Sequence, residues 1–186
     1  MKNTFLRIVL FLITTSVFAQ ADKVTVVNNE NGMKLVVNGE DFMINGMNWD
    51  MIPIGKDAVN TNFWNKSDEL IKAGLELEMS LLKQMNVNAI RHYSDIPSKW
   101  VQYIFENYGI YTMLNHSFGR YGLTINGVWE PITDYSDHNT QKVLLSEIET
   151  VVNKYKNTPG LLLYLLGNEN NYGLFWSGAE TEDFLE

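Results

Sequence analysis

The chain has 186 residues, of which 45% are hydrophobic and 19% charged, with a formal net charge of −8. That is the composition of a folded domain, not of a fibre or a linker. With no cysteine it excludes disulfides, thiolate metal sites, cysteine nucleophiles and a lipidated-cysteine anchor, and the acidic balance speaks against nucleic acid as a partner.

Residues 1–19 read as a secretory signal peptide. Lys2 and Arg7 give a basic start, Ile8 to Ile13 an apolar run, and Val17-Phe18-Ala19 small residues at the positions a signal peptidase needs. The alternative is a membrane anchor. A spanning helix takes ~20 apolar residues, and this run is about half as long. The mature chain is therefore expected to begin at Gln20, to be secreted or periplasmic, and to keep no membrane anchor. Residues 20–32 form a lead-in, and 33–186 the domain.

Val24 to Val27 is a short β-like run. Leu35-Val36-Val37 and Phe42-Met43-Ile44 flank Asn38-Gly39, a hairpin signal because both residues tolerate positive φ. The second run leads into Gly46-Met47-Asn48-Trp49, and residues 50–66 read as loop. Asp68 to Met85 is a predicted helix, with Leu70, Ile71, Leu75, Met79 and Leu82 at helical spacing and Ser67 as N-cap. Val87 to Tyr93 is a predicted buried strand. A helix follows, with Pro97 at its first position and Gly109 as its stop. Ile110 to Leu114 is the next strand. A polar loop fills roughly 117–136, Thr140 to Tyr155 is helical, and Leu161 to Leu166 is an apolar strand after the Pro159-Gly160 breaker.

Strands alternating with helices, and apolar almost throughout, predict a parallel α/β sheet buried on both faces. An open doubly wound sheet and a barrel both fit. The Gly-rich turn of a nucleotide-binding sheet is missing after the first strand.

Polar and aromatic residues follow each apolar run: Asn48-Trp49, Arg91-His92-Tyr93, Asn115-His116 and Asn168-Glu169. In parallel α/β folds these ends converge on the ligand-binding face. Each residue also has a plainer role open to it. Glu169 could cap a helix, Arg91 could be its structural ion-pair partner, His92 and His116 could be satisfied core histidines, and Trp49 and Trp176 could be core packing. Three histidines without His-x-x-x-His spacing give no metal set, and no G-x-S-x-G elbow is present. A carboxyl group beside Asn, Arg, His and Trp suits a sugar, because aromatic faces stack on pyranose C–H surfaces and amides bind hydroxyls. A glutamate at an apolar strand end can protonate a glycosidic oxygen.

With these residues in order, the sequence resembles the clan of retaining (β/α)8-barrel β-glycosidases, most closely the catalytic domain of glycoside hydrolase family 2. The resemblance is carried by Leu35 to Asn48 as the approach to strand one, by Met85-Asn86-Val87-Asn88-Ala89-Ile90-Arg91 as strand two, and by Tyr155 to Gly160 leading to Gly167-Asn168-Glu169. The fungal β-1,3-glucanosyltransferases share the same run of segments and are the rival within the clan. The resemblance implies a TIM barrel of which this chain holds the N-terminal half, strands one to four behind a β-hairpin, since a closed barrel takes about 250 residues. It implies Glu169 as general acid/base, Asn168 as ligand of the sugar 2-hydroxyl, Arg91 as orienter of the nucleophile, and His116, with Trp49, as a further sugar contact. No cofactor and no metal are implied, and the substrate is a β-glycoside. The clan's nucleophile is a second glutamate on strand seven, which Glu130, Glu180 and Glu182 do not match. The chain is thus expected to be a fragment of the enzyme. Alternatives are a non-catalytic half-barrel that binds glycans or pairs with a second half through open sheet edges, and an unrelated open-sheet module.

Overall fold

The structure, a computed structural model, describes residues 21–30, 32–52, 63–93 and 95–169. The signal segment, Trp176, Glu180 and Glu182 lie outside these residues. Strands β1 (Val24–Asn29), β2 (Gly32–Val37) and β3 (Glu40–Asp41) form a small antiparallel sheet in that order. Asn38 and Gly39 take φ of 52° and 91°, the left-handed pair that a two-residue hairpin requires. The predicted second hairpin strand at 42–44 is not one: pairing stops at Asp41, and the chain turns away toward the next sheet.

That sheet holds β4 (Gly46–Asn48), β5 (Ala89–His92), β6 (Tyr111–His116) and β9 (Leu161–Leu166). All are parallel. Between them run a 3₁₀ turn (Phe63–Asn65) and the helices α1 (Asp68–Gln84), α2 (Ser98–Tyr108) and α3 (His138–Tyr155). Strand order follows chain order without the reversal that marks a doubly wound sheet. The helices also pack on one face only. Ile71, Leu75, Met79 and Leu82 of α1, Trp100, Val101 and Ile104 of α2, and Tyr155 of α3 share one core with Ile90 and Leu114. The sheet's other face packs on the hairpin: Val37, Leu35 and Phe42 meet Ala89, Tyr111, Met113 and Leu162. Helices outside and a sequential parallel sheet inside make three successive βα steps and a fourth strand of a barrel, with the hairpin sheet across its lower interior.

Local chemistry sets the element ends. Ser67 accepts from the Leu70 amide at 3.4 Å, and Asp137 accepts from Asn139 and Thr140 at the start of α3. Pro97 is the N-cap of α2, one position before the place the sequence predicted for it, and Gly109 ends α2 with φ of 69°. Asn86 turns the chain out of α1 with φ of 59°. Two residues later, the Asn88 side chain accepts from the Asn45 amide at 2.8 Å and donates to the Met43 carbonyl at 2.8 Å. The asparagines of the Asn86-Val87-Asn88 stretch thus have separate structural tasks, a left-handed turn and a clamp on the approach to β4.

The polar stretch after β6 hides a hairpin, β7 (Leu123–Ile125) with β8 (Val128–Glu130), turned by Asn126 and Gly127. Farther along, Lys154 and Tyr155 reach the Asp95 carboxylate at 2.7 and 2.8 Å. Burial works against its charge, but these two partners hold Asp95 below the usual carboxylate range.

Gly160, the residue before β9, takes φ of 80°, its carbonyl accepts from the Thr112 amide, and a Cβ there would overlap the Phe105 side chain. Gly160→Ala is expected to lower stability by roughly 1–3 kcal/mol through backbone strain and overpacking. A thermal melt unchanged from the wild type would contradict that.

Candidate functional site

Side chains alternate across a strand, so each strand end offers one residue to the helix side and the next to the barrel interior. On β5, Ile90 and His92 are fully buried on the helix side, which sends Arg91 to the interior face shared by Ala89. On β6, Tyr111 and Met113 face the interior core, and Asn115 continues that row. Arg91 and Asn115 meet there. The guanidinium donates to Asn115 Oδ1 from Nε at 3.1 Å and from Nη2 at 2.5 Å.

Arg91 Nη2 also donates to Asn168 Oδ1 at 2.9 Å. One cation therefore fastens the ends of β5, β6 and β9 together. Charged hydrogen bonds of this sort are the strong ones, and the planar fork fixes both amides in orientation. The guanidinium lies 4.5 Å from the Tyr93 ring centroid, a cation–π contact that closes its outer side. The second hydrogen-bonding end of Asn168 is also set: its Nδ2 donates to the Tyr121 hydroxyl at 3.1 Å.

Glu169 follows at once, exposed, with φ of 52°. A non-glycine residue in the left-handed region is uncommon and costs about 1–2 kcal/mol, so its neighbours must hold it. Arg120 does this by donating from Nε to the Glu169 carbonyl at 2.6 Å, and the Gly167 amide donates to the His116 carbonyl at 2.8 Å. Backbone strain of this kind gathers at functional sites.

Not every predicted residue joins the group. Trp49 is 6% exposed and sits in the helix-side core, its indole N–H donating to Glu78 at 3.1 Å and its ring 5.7 Å from that of His92. It is placed as core packing, not as an open face for a sugar. His116 points toward α3. Its Nδ1 accepts from the Phe118 amide at 3.0 Å, which leaves the proton on Nε2, 3.6 Å from Glu147. His92 is fully buried with Nδ1 3.1 Å from Asp50. Arg91, Asn168 and Glu169 are brought together at the strand ends.

Sequence reasoning noted Tyr93 and Asn115 at the strand ends without giving either a role, and it passed over Arg120 and Tyr121. For Asn115 the signal was the two-residue alternation along β6, which puts it, and not His116, on the Arg91 face. Arg120 and Tyr121 lie in a loop, where no periodicity exists to read. A cavity of about 760 Å³, mainly apolar, opens beside the edge strand β9 among Leu114, Ile148, Val151 and Tyr164. Its lining reaches the edge of the polar cluster at Tyr93, Asn115 and His116 but does not include Arg91, Asn168 or Glu169.

The family model for the glycosyl hydrolases family 2 TIM barrel domain matches residues 27–177. A β-galactosidase of Lactococcus lactis is 27% identical over 144 residues, 75% of this chain and 12% of that protein. One from Alteromonas mediterranea is 28% identical over 150 residues, 79% of this chain and 13% of that protein. The probable 1,3-β-glucanosyltransferase GAS3 of Saccharomyces cerevisiae is 32% identical over 90 residues, 47% of this chain and 16% of that protein. In three dimensions the chain is similar to the crystal structure of ScGas2 in complex with compound 6. The TM-score is 0.50 at 20% identity, over 82% of this chain and 32% of that one, a likeness of fold. The chain thus spans a small part of the length of the proteins it matches.

Removing the Arg91 guanidinium leaves two amide oxygens without their donor. Arg91→Ala is expected to cost about 1.5–3 kcal/mol of stability, and Arg91→Lys to restore little of it, because an ammonium cannot fork between Asn115 and Asn168. Urea unfolding of both variants measures this; full rescue by lysine would show that charge alone matters.

Proposed function

The chain belongs to the glycosyl hydrolase family 2 TIM-barrel domains, and on that footing we propose that it is the acid/base half of a retaining barrel that hydrolyses β-linked O-glycosides. The observation that carries this reading is the Arg91 fork, which orients Asn168 beside Glu169 at the end of the fourth parallel strand. In a retaining mechanism an acid protonates the glycosidic oxygen as the C1–O bond breaks, while a carboxylate attacks C1. The same group, now a base, then takes a proton from the water that releases the sugar. Glu169 is assigned the acid/base task. Asn168, with its amide locked from two sides, is assigned the sugar 2-hydroxyl.

The two carboxyl groups must stand about 5–5.5 Å apart. In the clan this chain resembles, that second carboxylate is a glutamate on strand seven of the barrel, and the nucleophile is assigned to that place. A second reading, transfer to a sugar hydroxyl in place of water, draws support from the similarity to the yeast glucanosyltransferase over 90 residues. The first half of the chemistry is the same in both. We also propose that residues 1–19 direct export, which would put the substrate outside the cytoplasm.

In the complete barrel, Glu169→Gln is expected to lower kcat/KM for a disaccharide about 10²–10⁴-fold. A dinitrophenyl β-glycoside, whose leaving group needs no proton, should lose far less. Equal losses on the two substrates would contradict the acid/base assignment. For export, N-terminal sequencing of the protein recovered outside the cytoplasm is expected to start at Gln20; a product retaining Lys2 and Arg7 would contradict cleavage.

A further inference from the structure

The hairpin β7–β8 is a part of the site's rim that the acid/base reading leaves without a task. Residues opposite one another in an antiparallel pair share a face. Leu123 pairs with Glu130, and Ile125 with Val128. This is the face toward α3, and Leu123 is buried in it. Thr124 and Trp129 pair between them, so the Trp129 ring stands on the opposite face, away from α3.

That ring is 58% exposed, a large apolar surface left in water. It is nonetheless fixed in place, because it lies on the Gly122 backbone so closely that a Cβ at Gly122 would overlap it. Gly122 also has φ of 96°, which excludes a side chain on two counts. The next residue back is Tyr121, 61% exposed, whose hydroxyl accepts from Asn168. Arg120 sits 5.5 Å from the Tyr121 ring and donates to the Glu169 carbonyl. A continuous line of contacts therefore runs from Glu169 and Asn168 through Tyr121 and Gly122 to the open face of Trp129.

We infer that Trp129, with Tyr121 beside it, is a stacking platform for the sugar next to the one bound by Asn168, so that the site takes a β-linked oligosaccharide along the hairpin. The inference rests on the glycoside reading above. A pyranose ring presents C–H bonds on its face and hydroxyls around its rim. An indole offers the matching negative π-face, and a rigid ring supplies contact area at small entropic cost. Tyr121 joins the Asn168 amide to the base of the hairpin, the side on which the neighbouring sugar is inferred to lie.

The test is calorimetric titration of the complete barrel with laminaritetraose and β-1,4-galactotetraose, each beside its methyl β-glycoside. Trp129→Ala is expected to weaken the preferred tetrasaccharide roughly tenfold and to leave the methyl glycoside within about twofold. Trp129→Phe, which keeps an aromatic face, should fall between the two and guards against loss of the hairpin fold. If Trp129→Ala binds the tetrasaccharide as the wild type does, or weakens both ligands equally, the platform is overturned while the glycoside reading stands. If the wild type binds none of the four, the glycoside reading fails and takes this inference with it.

Discussion

A single cation, the Arg91 guanidinium, determines how the described site is arranged. It rises from a sheet face whose lower rows are Ala89, Tyr111 and Met113. A half-buried charge there needs acceptors, since burying it unpaired costs several kcal/mol. The amide oxygens of Asn115 and Asn168 meet that need from two neighbouring strands. Because the fork is planar, satisfying it also fixes how both amides face. Asn168 then has its Nδ2 directed at Tyr121, and Glu169 follows from a strand end that cannot drift. Three strands, one loop and the acid/base candidate share a common anchor.

The other end of the same sheet face is built on the opposite principle. Val37, Leu35 and Phe42 from the hairpin sheet close the lower interior, with Phe42 edge-on to Tyr111 at 5.2 Å. Burial, together with the nearby Asp22, pushes the Tyr111 phenol up to about 12. The Arg91 cluster thereby stands apart from this packing, at the C-terminal ends of the strands. Dry packing below and hydrogen bonding above is the division of labour that lets a barrel of this type keep stability and chemistry apart.

Much of this was legible in the sequence because period and composition report burial directly. The run Leu161 to Leu166 is β9 to the residue, and α1 follows the spacing of Ile71, Leu75, Met79 and Leu82. The cluster of polar strand ends was also legible, through the parallel-sheet rule. Direction was harder to read. Trp49 and His116 stand at strand ends, but each falls on the helix side, which follows from the alternation along its strand once one residue of that strand is known to face the helices. The hairpin at 123–130 carried the same Asn-Gly signal as residues 38–39. Its strands have three residues each, too few for alternation to rise above the surrounding polar loop. The contacts of Arg120 and Tyr121 span 49 and 47 residues, a separation that no local pattern encodes.

The account as a whole comes down to where a sugar sits. A crystal structure of the protein with a bound β-glycoside measures that most directly. The account predicts the sugar 2-hydroxyl within hydrogen-bonding distance of the Asn168 amide and the glycosidic oxygen facing the Glu169 carboxyl, at the C-terminal ends of β5, β6 and β9. A sugar bound instead in the apolar cavity beside β9, or in place with the Glu169 carboxyl turned away from the glycosidic oxygen, would contradict it.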